Sequence, residues 1–302
     1  MRGARRNREY RNHNRNEEKR PISTSAVVRL VIWSAVLCIL LGTYGAAMTF
    51  EGIGENMFGM KRGDDQYEIG NGTIDATVTD ISIEWVSGSV KVVAYEGEEI
   101  RVTEDYDGEK DNLRLRWQVK GRRLLVKFCR TSVWGLDASS KNLTVEIPQS
   151  MADQLDRLKI SSVSADQRVL VSARELEIHT VSGRADLQGQ YNSVEIGTVS
   201  GDVSLDGIFC EGSIEGVSGD VEIRLREQAE ELEMSFVSGK ARVTLPETTT
   251  GFRVDFETVS GDSEVRGFDW DDDDSDRWGD GSMEISMNGV SGRLTIEKET
   301  KN

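Results

Sequence analysis

The chain has 302 residues, enough for one large domain or two modest ones. Its 30 glycines against 3 prolines, with many valines, isoleucines, threonines and serines, favour β-structure with frequent turns over a helical bundle. The net charge is -16, but residues 1–50 are basic and the remainder carries a net charge of -22. An acidic body repels phosphates, which argues against nucleic acid as the partner of the folded part.

The N-terminal segments are a tail and a predicted membrane anchor. Residues 1–25 are polar and Arg/Asn-rich, which is typical of a disordered tail. Residues 26–50 are predicted to form one transmembrane helix, because Leu30 to Phe50 contains no charged residue and about 20 apolar residues cross a bilayer. The excess of basic residues before this helix places the tail in the cytoplasm and the rest outside it.

A cleaved secretory signal is the alternative to a retained anchor. Gly45-Ala46-Ala47 provides a small-residue cleavage site, although the apolar stretch is longer than the usual 7–15 residues of a signal core. A retained helix would make the chain a single-pass cell-membrane protein. In both cases the bulk of the chain is exported.

Residues 51–66 form a polar, Gly-containing linker, and an extracytoplasmic β-domain is predicted over 67–298. Within its first part, 67–150, we expect longer strands that continue into, or cap, the second part over 151–298. A hairpin is predicted around Lys120-Gly121-Arg122, and Lys141 to Ile147 reads as a further strand.

Residues 151–298 contain an internal repeat marked by Val-Ser-Gly. The glycines of these tripeptides, including one outlying upstream copy, are Gly88, Gly183, Gly201, Gly219, Gly239, Gly261 and Gly292. Three copies recur at intervals of 18 residues, and Val163-Ser164-Ala165 continues that spacing upstream with alanine in place of glycine. A period near 20 is typical of stacked units, none of which can bury its apolar face alone.

Each repeat has a short alternating strand on both sides of the tripeptide, which predicts aliphatic side chains on one face and acids on the other. We interpret Val-Ser-Gly as the bend between these strands, with the valine packed inward and the glycine in a backbone conformation closed to other residues. The predicted fold is therefore all-β, with stacked strands in a β-solenoid or flattened β-roll, preceded by the transmembrane helix.

Two irregular spacings predict insertions. Residues 224–233 could form a helical turn at one corner. The Asp-rich stretch 269–276 is expected to be an exposed loop, where Asp272, Asp274 and Asp276 have the alternate spacing of a calcium loop. Arg277 stands where the turn glycine of such a loop should be, so a solvated, self-repelling loop is the favoured interpretation.

The predicted hairpin supplies the candidate binding residues. A basic ribbon without acids comprises Arg114, Arg116, Lys120, Arg122, Arg123 and Lys127. Strand alternation places Arg114 and Arg116 on one face, and Leu113, Leu115 and Trp117 on the other. Such a ribbon could bind anionic envelope polymers or acidic repeats. A solvated edge strand, whose charge blocks unwanted pairing, is the favoured interpretation.

Catalytic chemistry has few candidates. His179 lies on the polar phase of a strand and is interpreted as a solvated residue, and no nucleotide or nucleophile motif is present. We predict no catalytic residue, no cofactor and no established metal site. Cys129 and Cys210 could pair outside the cell, but two thiols without a disulfide are the favoured interpretation.

These motifs resemble a bacterial family of β-repeat domains of unknown function that is commonly labelled "putative adhesins". The resemblance rests on the Thr-Val-Ser-Gly-Asp-Val pattern at Thr198–Val203, on Leu143–Pro148, and on Leu245-Pro246-Glu247 followed by Gly251-Phe252. It covers roughly residues 67–298, and it implies the fold and placement at the cell surface. Ala165 departs from the motif and suggests a softer bend or a cap.

The predicted function is a membrane-tethered, extracytoplasmic β-repeat module that makes non-catalytic contacts at the cell envelope. Its partner would be an envelope polymer or protein. Two other classes stay open: an envelope-sensing or signalling membrane protein, and a polysaccharide-active β-helix enzyme.

Overall fold

The computed structural model describes residues 66–106, 108–130, 140–269 and 276–300. Within these ranges the regular secondary structure is almost entirely strand, which confirms the all-β prediction. In chain order the elements are β1 (Glu68–Ile69), β2 (Gly72–Ile74), β3 (Asp80–Tyr95), β4 (Ile100–Glu104), a 3₁₀ turn (Asp111–Leu113), β5 (Arg116–Lys120), β6 (Arg123–Lys127), β7 (Lys141–Pro148), α1 (Gln149–Ala152), β8 (Arg157–Leu170), β9 (Glu175–Thr180), β10 (Ala185–Gln190), β11 (Ser193–Thr198), β12 (Val203–Ile208), β13 (Glu211–Gly216), β14 (Asp220–Leu225), β15 (Glu231–Leu245), β16 (Gly251–Arg266), β17 (Arg277–Gly279) and β18 (Met283–Lys298).

The predicted transmembrane helix over 26–50 lies outside the described ranges, as do the tail and most of the linker. Inside those ranges, no helix combines the length and the apolar character that crossing a membrane requires.

Strands 18 residues apart in the chain lie side by side as parallel neighbours. On one side of the fold β9, β11 and β13 pair in register, so that Ile178, Ile196 and Ile214 form one buried row. On the other side β10, β12 and β14 do the same. Alternation turns every second side chain of each strand inward, and the inward rows form a single aliphatic core.

The Val-Ser-Gly tripeptides lie next to one another at the bend between these two sides. The Ser182 amide donates to the Val163 carbonyl at 2.9 Å, and the Ser200 amide donates to the Val181 carbonyl at the same distance. Further along, Gly239 is paired with Gly292, which is in turn paired with Gly261. Long strands such as β8, β15 and β18 run through this bend without interruption.

The motif glycine is needed mainly because the neighbouring strand approaches closely. A Cβ built on Gly201 would lie 2.4 Å from the Gly183 carbonyl oxygen, and one on Gly219 would lie 2.3 Å from the Gly201 oxygen. The predicted special backbone angle holds for only some copies: φ is positive at Gly88, Gly183 and Gly219 but not at the others. Ala165, the natural exception, is buried without a positive φ.

Except at Val86, which is half-buried and packs against the core, the valine of the motif does not pack inward, so that prediction was wrong for most copies. Its side chain is half-buried in most copies, and Val259 is 56% exposed. The preceding residue takes the core position instead, as with Thr180 and Thr198, which are fully buried. The reason is the alternation of side chains along a strand. Because Thr180 points inward, the next side chain, Val181, points outward, and the next buried residue is Ala185.

The two ends of the described chain are interleaved with strands that are distant in sequence. The first half of β3 lies between β6 and β8, and its second half lies between β7 and β8. At the other end, β18 lies between β15 and β16, although β16 precedes it in the chain. The first and last long strands are therefore held on both edges.

The corner at residues 224–233 contains no helical turn, contrary to the prediction. β14 ends at Leu225, β15 begins at Glu231, and the short connection buries Ala229. Because only five residues join the two strands, the chain crosses the corner directly. Near β16 and β17, the rings of Phe252, Phe268 and Trp278 pack against one another with centroids 4.7–5.7 Å apart.

Candidate functional site

One side of the stack presents a row of acids, which we call the acidic face. Only its first strand is compensated, because Arg157 and Lys159 of β8 form ion pairs with Glu175 and Glu177. The acidic face consists of the outward positions of β9, β11 and β13 and of the first halves of β15, β18 and β16. Its ten acidic residues are Glu175, Glu177, Glu195, Glu211, Glu215, Glu231, Glu233, Asp255, Glu257 and Glu284. Among the outward positions of these strands, Arg253 is the only Lys or Arg. Alternation along the strands and parallel pairing across them together produce this concentration.

Three of these carboxylates occupy consecutive paired positions on three neighbouring strands. Glu211 is paired with Glu231, and Glu231 with Glu284. Neighbouring strands are about 4.8 Å apart, and like charges directly opposite each other are destabilising. The row ends at Arg253 of β16, which is paired with Glu284. The run of three adjacent carboxylates before it is a source of negative potential.

The other side of the stack is different, and we call it the mixed face. It consists of the outward positions of β10, β12 and β14 and of the second halves of the long strands. Here opposite charges are paired across strands: Asp220 with Lys240, and Glu222 with Arg242. The two faces thus have similar strand geometry but opposite degrees of charge compensation.

At the start of the acidic face, three potential metal ligands converge. Glu177 and Glu195 are direct neighbours on β9 and β11, and His179 follows Glu177 on the same face. The His179 Nε2 lies 2.8 Å from Glu177 Oε1, and the ligand atoms of the three residues all lie within 4.8 Å of one another. Lys159, on β8, donates from Nζ to the same Glu177 oxygen.

His179 was interpreted from the sequence as a solvated residue, but it is half-buried and hydrogen-bonded to Glu177. The sequence signal that would have placed His179 beside two carboxylates is the 18-residue repeat. A spacing of 18 residues sets Glu177 beside Glu195, and a spacing of two puts His179 on the same face.

The pKa of Glu177 reflects these contacts. Partial burial favours the neutral acid, but hydrogen bonds from Lys159 and His179 outweigh it and hold the pKa below its ordinary value of 4.5. A lowered carboxyl pKa contributes stability that is present above pH 4.5 and lost as the pH falls through the lowered value.

We therefore expect Glu177→Gln to reduce the free energy of unfolding near neutral pH and to have less effect in acid. Urea unfolding of both proteins, measured from pH 6 down to pH 3, checks this. The difference between the two proteins should shrink as the pH falls below about 4.5. A difference that stayed constant with pH would contradict the account.

A second cluster is buried in the N-terminal part of the fold. The Lys141 Nζ donates to Glu104 Oε2 at 2.6 Å, to the Leu113 carbonyl at 2.7 Å and to the Phe128 carbonyl. Both charged side chains are 2% exposed. The Phe128 ring centroid lies 4.1 Å from the ammonium, and that of Trp85 lies 5.2 Å from it.

This pair joins β4 and β7 to the segments that precede β5 and follow β6. Glu104 Oε1 accepts a hydrogen bond from the Leu115 amide at 2.7 Å, so both carboxylate oxygens are used. Burial lowers the pKa of Lys141, while the hydrogen bond and charge of Glu104 act in the opposite direction. The cluster is enclosed by protein, and its geometry indicates a structural role.

The predicted hairpin is present, since β5 and β6 are antiparallel and Lys120 is paired with Arg123. The predicted alternation of the basic ribbon is wrong. Arg116 is buried at 7% exposure, and Leu113 lies in the 3₁₀ turn outside the strand. The cause is the late start of β5 at Arg116, which puts Arg114 outside the strand as well.

The remaining ribbon residues are dispersed. Lys120, Arg122 and Arg123 are exposed near the turn, and Arg123 is 3.6 Å from Asp80. Lys127 is half-buried, with Nζ 5.0 Å from the centre of the Tyr67 ring. The six residues therefore do not form one continuous exposed ribbon.

The Asp-rich loop and the two cysteines show no metal site or disulfide among the described residues. Asp272 and Asp274 lie outside the described ranges, whereas Asp276 is exposed and its backbone carbonyl accepts a hydrogen bond from the Val254 amide. Cys129 is buried and Cys210 is exposed, and no disulfide joins them.

An open polar groove of about 460 Å³ lies beside α1, lined in part by Asp153, Asp156 and Arg174.

Comparison with known families gives a clear match. Residues 78–297 match the family model described as Toastrack DUF4097. The chain belongs to the Toastrack family. This agrees with the sequence resemblance to β-repeat domains of unknown function, and the matched range includes all of the acidic face.

Several solved structures are similar to this Toastrack chain. They include a putative adhesin from Bacteroides fragilis (13% identity, 77% of this chain and 97% of that chain, TM-score 0.45), a putative cell adhesion protein from Clostridium sporogenes (10%, 77% and 100%, 0.36) and a putative lipid binding protein from Parabacteroides distasonis (14%, 76% and 97%, 0.36). Among curated proteins, no relative of the Toastrack chain was found.

Proposed function

We propose that this Toastrack chain is a non-catalytic contact module, tethered to the cell membrane by residues 26–50, with its N-terminus in the cytoplasm and its stacked β-repeats outside. The contact surface is the acidic face, and its partner is a cationic polymer or protein segment of the cell envelope. This assigns binding to the repeats and leaves the basic hairpin as a structural edge.

The observation that carries the proposal is the contrast between the two faces. The mixed face compensates its charges across strands, whereas the acidic face places Glu211, Glu231 and Glu284 side by side. Such a row opposes folding but creates a potential that attracts cations and steers a charged partner. A role in binding explains the row, and a role in stability does not.

The shape of this surface supports contact more than catalysis. Hydrogen-bonded parallel strands hold the outward side chains of the acidic face in rows that run from strand to strand. Catalytic sites usually enclose their substrate in a concave pocket, where exclusion of water strengthens electrostatic interactions. Rows of charge that continue across several strands instead suit an extended partner.

A charge-neutralised variant tests the proposal. The soluble fragment 51–302 would be incubated with envelope preparations from cells that make this protein, and the retained fraction would be measured. We expect Glu211→Gln, Glu231→Gln and Glu284→Gln together to lower retention by about tenfold or more, which corresponds to about 1.4 kcal/mol. Retention of the unaltered fragment should fall with added salt, because salt screens exposed charges.

The matched control carries Asp186→Asn, Asp220→Asn and Glu222→Gln on the mixed face. It removes the same number of charges from the same kind of position, so retention should stay close to that of the unaltered fragment. Equal losses in both variants would show that only net charge matters. That result, or no loss in either variant, would refute the acidic face as the contact surface.

The same triple variant makes a second prediction about stability. Removing three adjacent like charges should raise the free energy of unfolding at low salt, by up to about 1 kcal/mol for each paired contact, as measured by urea unfolding. The gain should disappear near 1 M salt, where the Debye length is about 3 Å. A variant that was less stable at low salt would contradict the view that the row opposes folding.

A further inference from the structure

We propose that Glu177, His179 and Glu195 form a binding site for a divalent transition metal ion of the Zn²⁺ class. The site lies at the first coil of the acidic face. It goes beyond the contact function proposed above, which requires only the charge of that face.

The register of two strands brings the three ligands together. Glu177 and Glu195 are directly paired, and His179 lies two residues after Glu177 on the same face. The imidazole Nε2 is 2.8 Å from Glu177 Oε1, and all three ligand atoms lie within 4.8 Å of one another. Tetrahedral Zn²⁺, at about 2.0–2.2 Å from each ligand, needs them about 3.3 Å apart. The exposed Glu195 carboxylate has the freedom to make that small movement.

The neighbouring strand leaves room for the imidazole. Gly197 is paired with His179, and a Cβ at Gly197 would lie 2.9 Å from His179 Nδ1. Any larger residue at position 197 would therefore crowd the imidazole in this position. The three ligands are half-buried or exposed, so the fourth position of a tetrahedral ion faces solvent.

A lysine side chain already binds one of the three proposed ligands. The Lys159 ammonium binds the same Glu177 oxygen that faces His179. Lys159 is 39% exposed and can turn away, so it acts as a competitor for the metal ion. Glu211 and Glu215, on the next strand, add negative potential that raises the local concentration of cations.

The ligand set also predicts which ion is bound. One imidazole nitrogen with two carboxylate oxygens suits Zn²⁺, whereas Ca²⁺ and Mg²⁺ prefer sites made of oxygen alone. An excess of either hard cation should therefore not displace Zn²⁺. A surface ion-pair network without metal affinity is the competing account.

Titration calorimetry of the full-length chain in detergent, with Zn²⁺ as the probe, tests the site. One Zn²⁺ should bind per chain, and His179→Ala should weaken binding by more than about tenfold, as even outer-shell changes do in metal sites. Lys159→Met should instead tighten binding a few-fold, because it removes the competing ion pair. The two variants thus have effects of opposite sign, which a simple electrostatic attraction would not produce.

Two control variants test whether Zn²⁺ binds at this site and not elsewhere on the chain. Glu233→Gln removes a carboxylate from the same row, two strands beyond Glu195, and should change the affinity by less than about twofold. His13→Ala removes the other histidine of the chain and should bind as the unaltered protein does. In nitrogen NMR of the imidazole groups, only His179 should shift on addition of Zn²⁺. Absence of Zn²⁺ binding, binding unaffected by His179→Ala, or weaker binding by Lys159→Met would each overturn the proposal.

Discussion

Lys141→Met should destabilise the fold by about 3–5 kcal/mol, a large part of the roughly 5–15 kcal/mol that a domain typically has. The variant keeps the length and packing of the side chain but removes the ammonium. Glu104 would then be a buried charge without its counter-ion, and the Leu113 and Phe128 carbonyls would lose a donor. Urea unfolding of the fragment 66–302, followed by tryptophan fluorescence, to which the adjacent Trp85 contributes, measures the change.

A second substitution separates the charge effect from packing. Glu104→Gln in the Lys141→Met background removes the unpaired charge but keeps an acceptor for the Leu115 amide, so part of the lost stability should return. Lys159→Met is the surface control, since its ion pair with Glu177 is half-exposed and should contribute no more than about 1 kcal/mol. A double variant no more stable than Lys141→Met alone would show that packing, not charge, dominates.

Gly219→Ala should lower the free energy of unfolding by about 3 kcal/mol or more. Two penalties combine at this position. The φ of Gly219 is +135°, which side chains rarely adopt, and the new Cβ would lie 2.3 Å from the Gly201 carbonyl oxygen of the neighbouring coil. Both glycines lie in short bends that are hydrogen-bonded to the neighbouring bend and followed by strand ladders, so neither can move away cheaply. Thermal and urea unfolding of the same fragment check this loss.

Gly121→Ala is the matched control, because Gly121 has a φ of +62° but nothing within 4 Å of its Cβ position. It should cost only the conformational term of about 1–2 kcal/mol. Gly201→Ala, without a positive φ but with a 2.4 Å approach, isolates the contact term. If Gly219→Ala and Gly121→Ala lost the same stability, close approach between coils would not explain the repeated glycine.

Local patterns predicted much of this chain because they depend on neighbours in sequence or on a constant spacing. The hairpin around Gly121 follows from two alternating runs and a turn glycine. The rows of Ile178, Ile196 and Ile214 follow from a spacing of 18 residues. The error at the motif valine has a local cause too, since three bend residues interrupt the two-residue alternation.

Other features depend on contacts that no local pattern encodes. The basic ribbon looked continuous in sequence, but a 3₁₀ turn shortens β5 and leaves Arg116 buried. Lys141 reads as an ordinary first residue of a strand, yet it lies in a buried cluster with Glu104, 37 residues away. Such a partner is visible only when β4 and β7 are brought side by side.

By itself, the sequence determined the all-β class, the acidic balance of the body, the period of the repeat and the outward phase of its glutamates, because each depends on composition or on the two-residue alternation of a strand. Only the tertiary structure decided the order of the strands at both ends, the burial of Lys141 with Glu104, and the meeting of Glu177, His179 and Glu195. Those features arise where distant segments share an edge or an interior. The free energy of such contacts depends on three-dimensional proximity, which the spacing of residues along the chain does not specify.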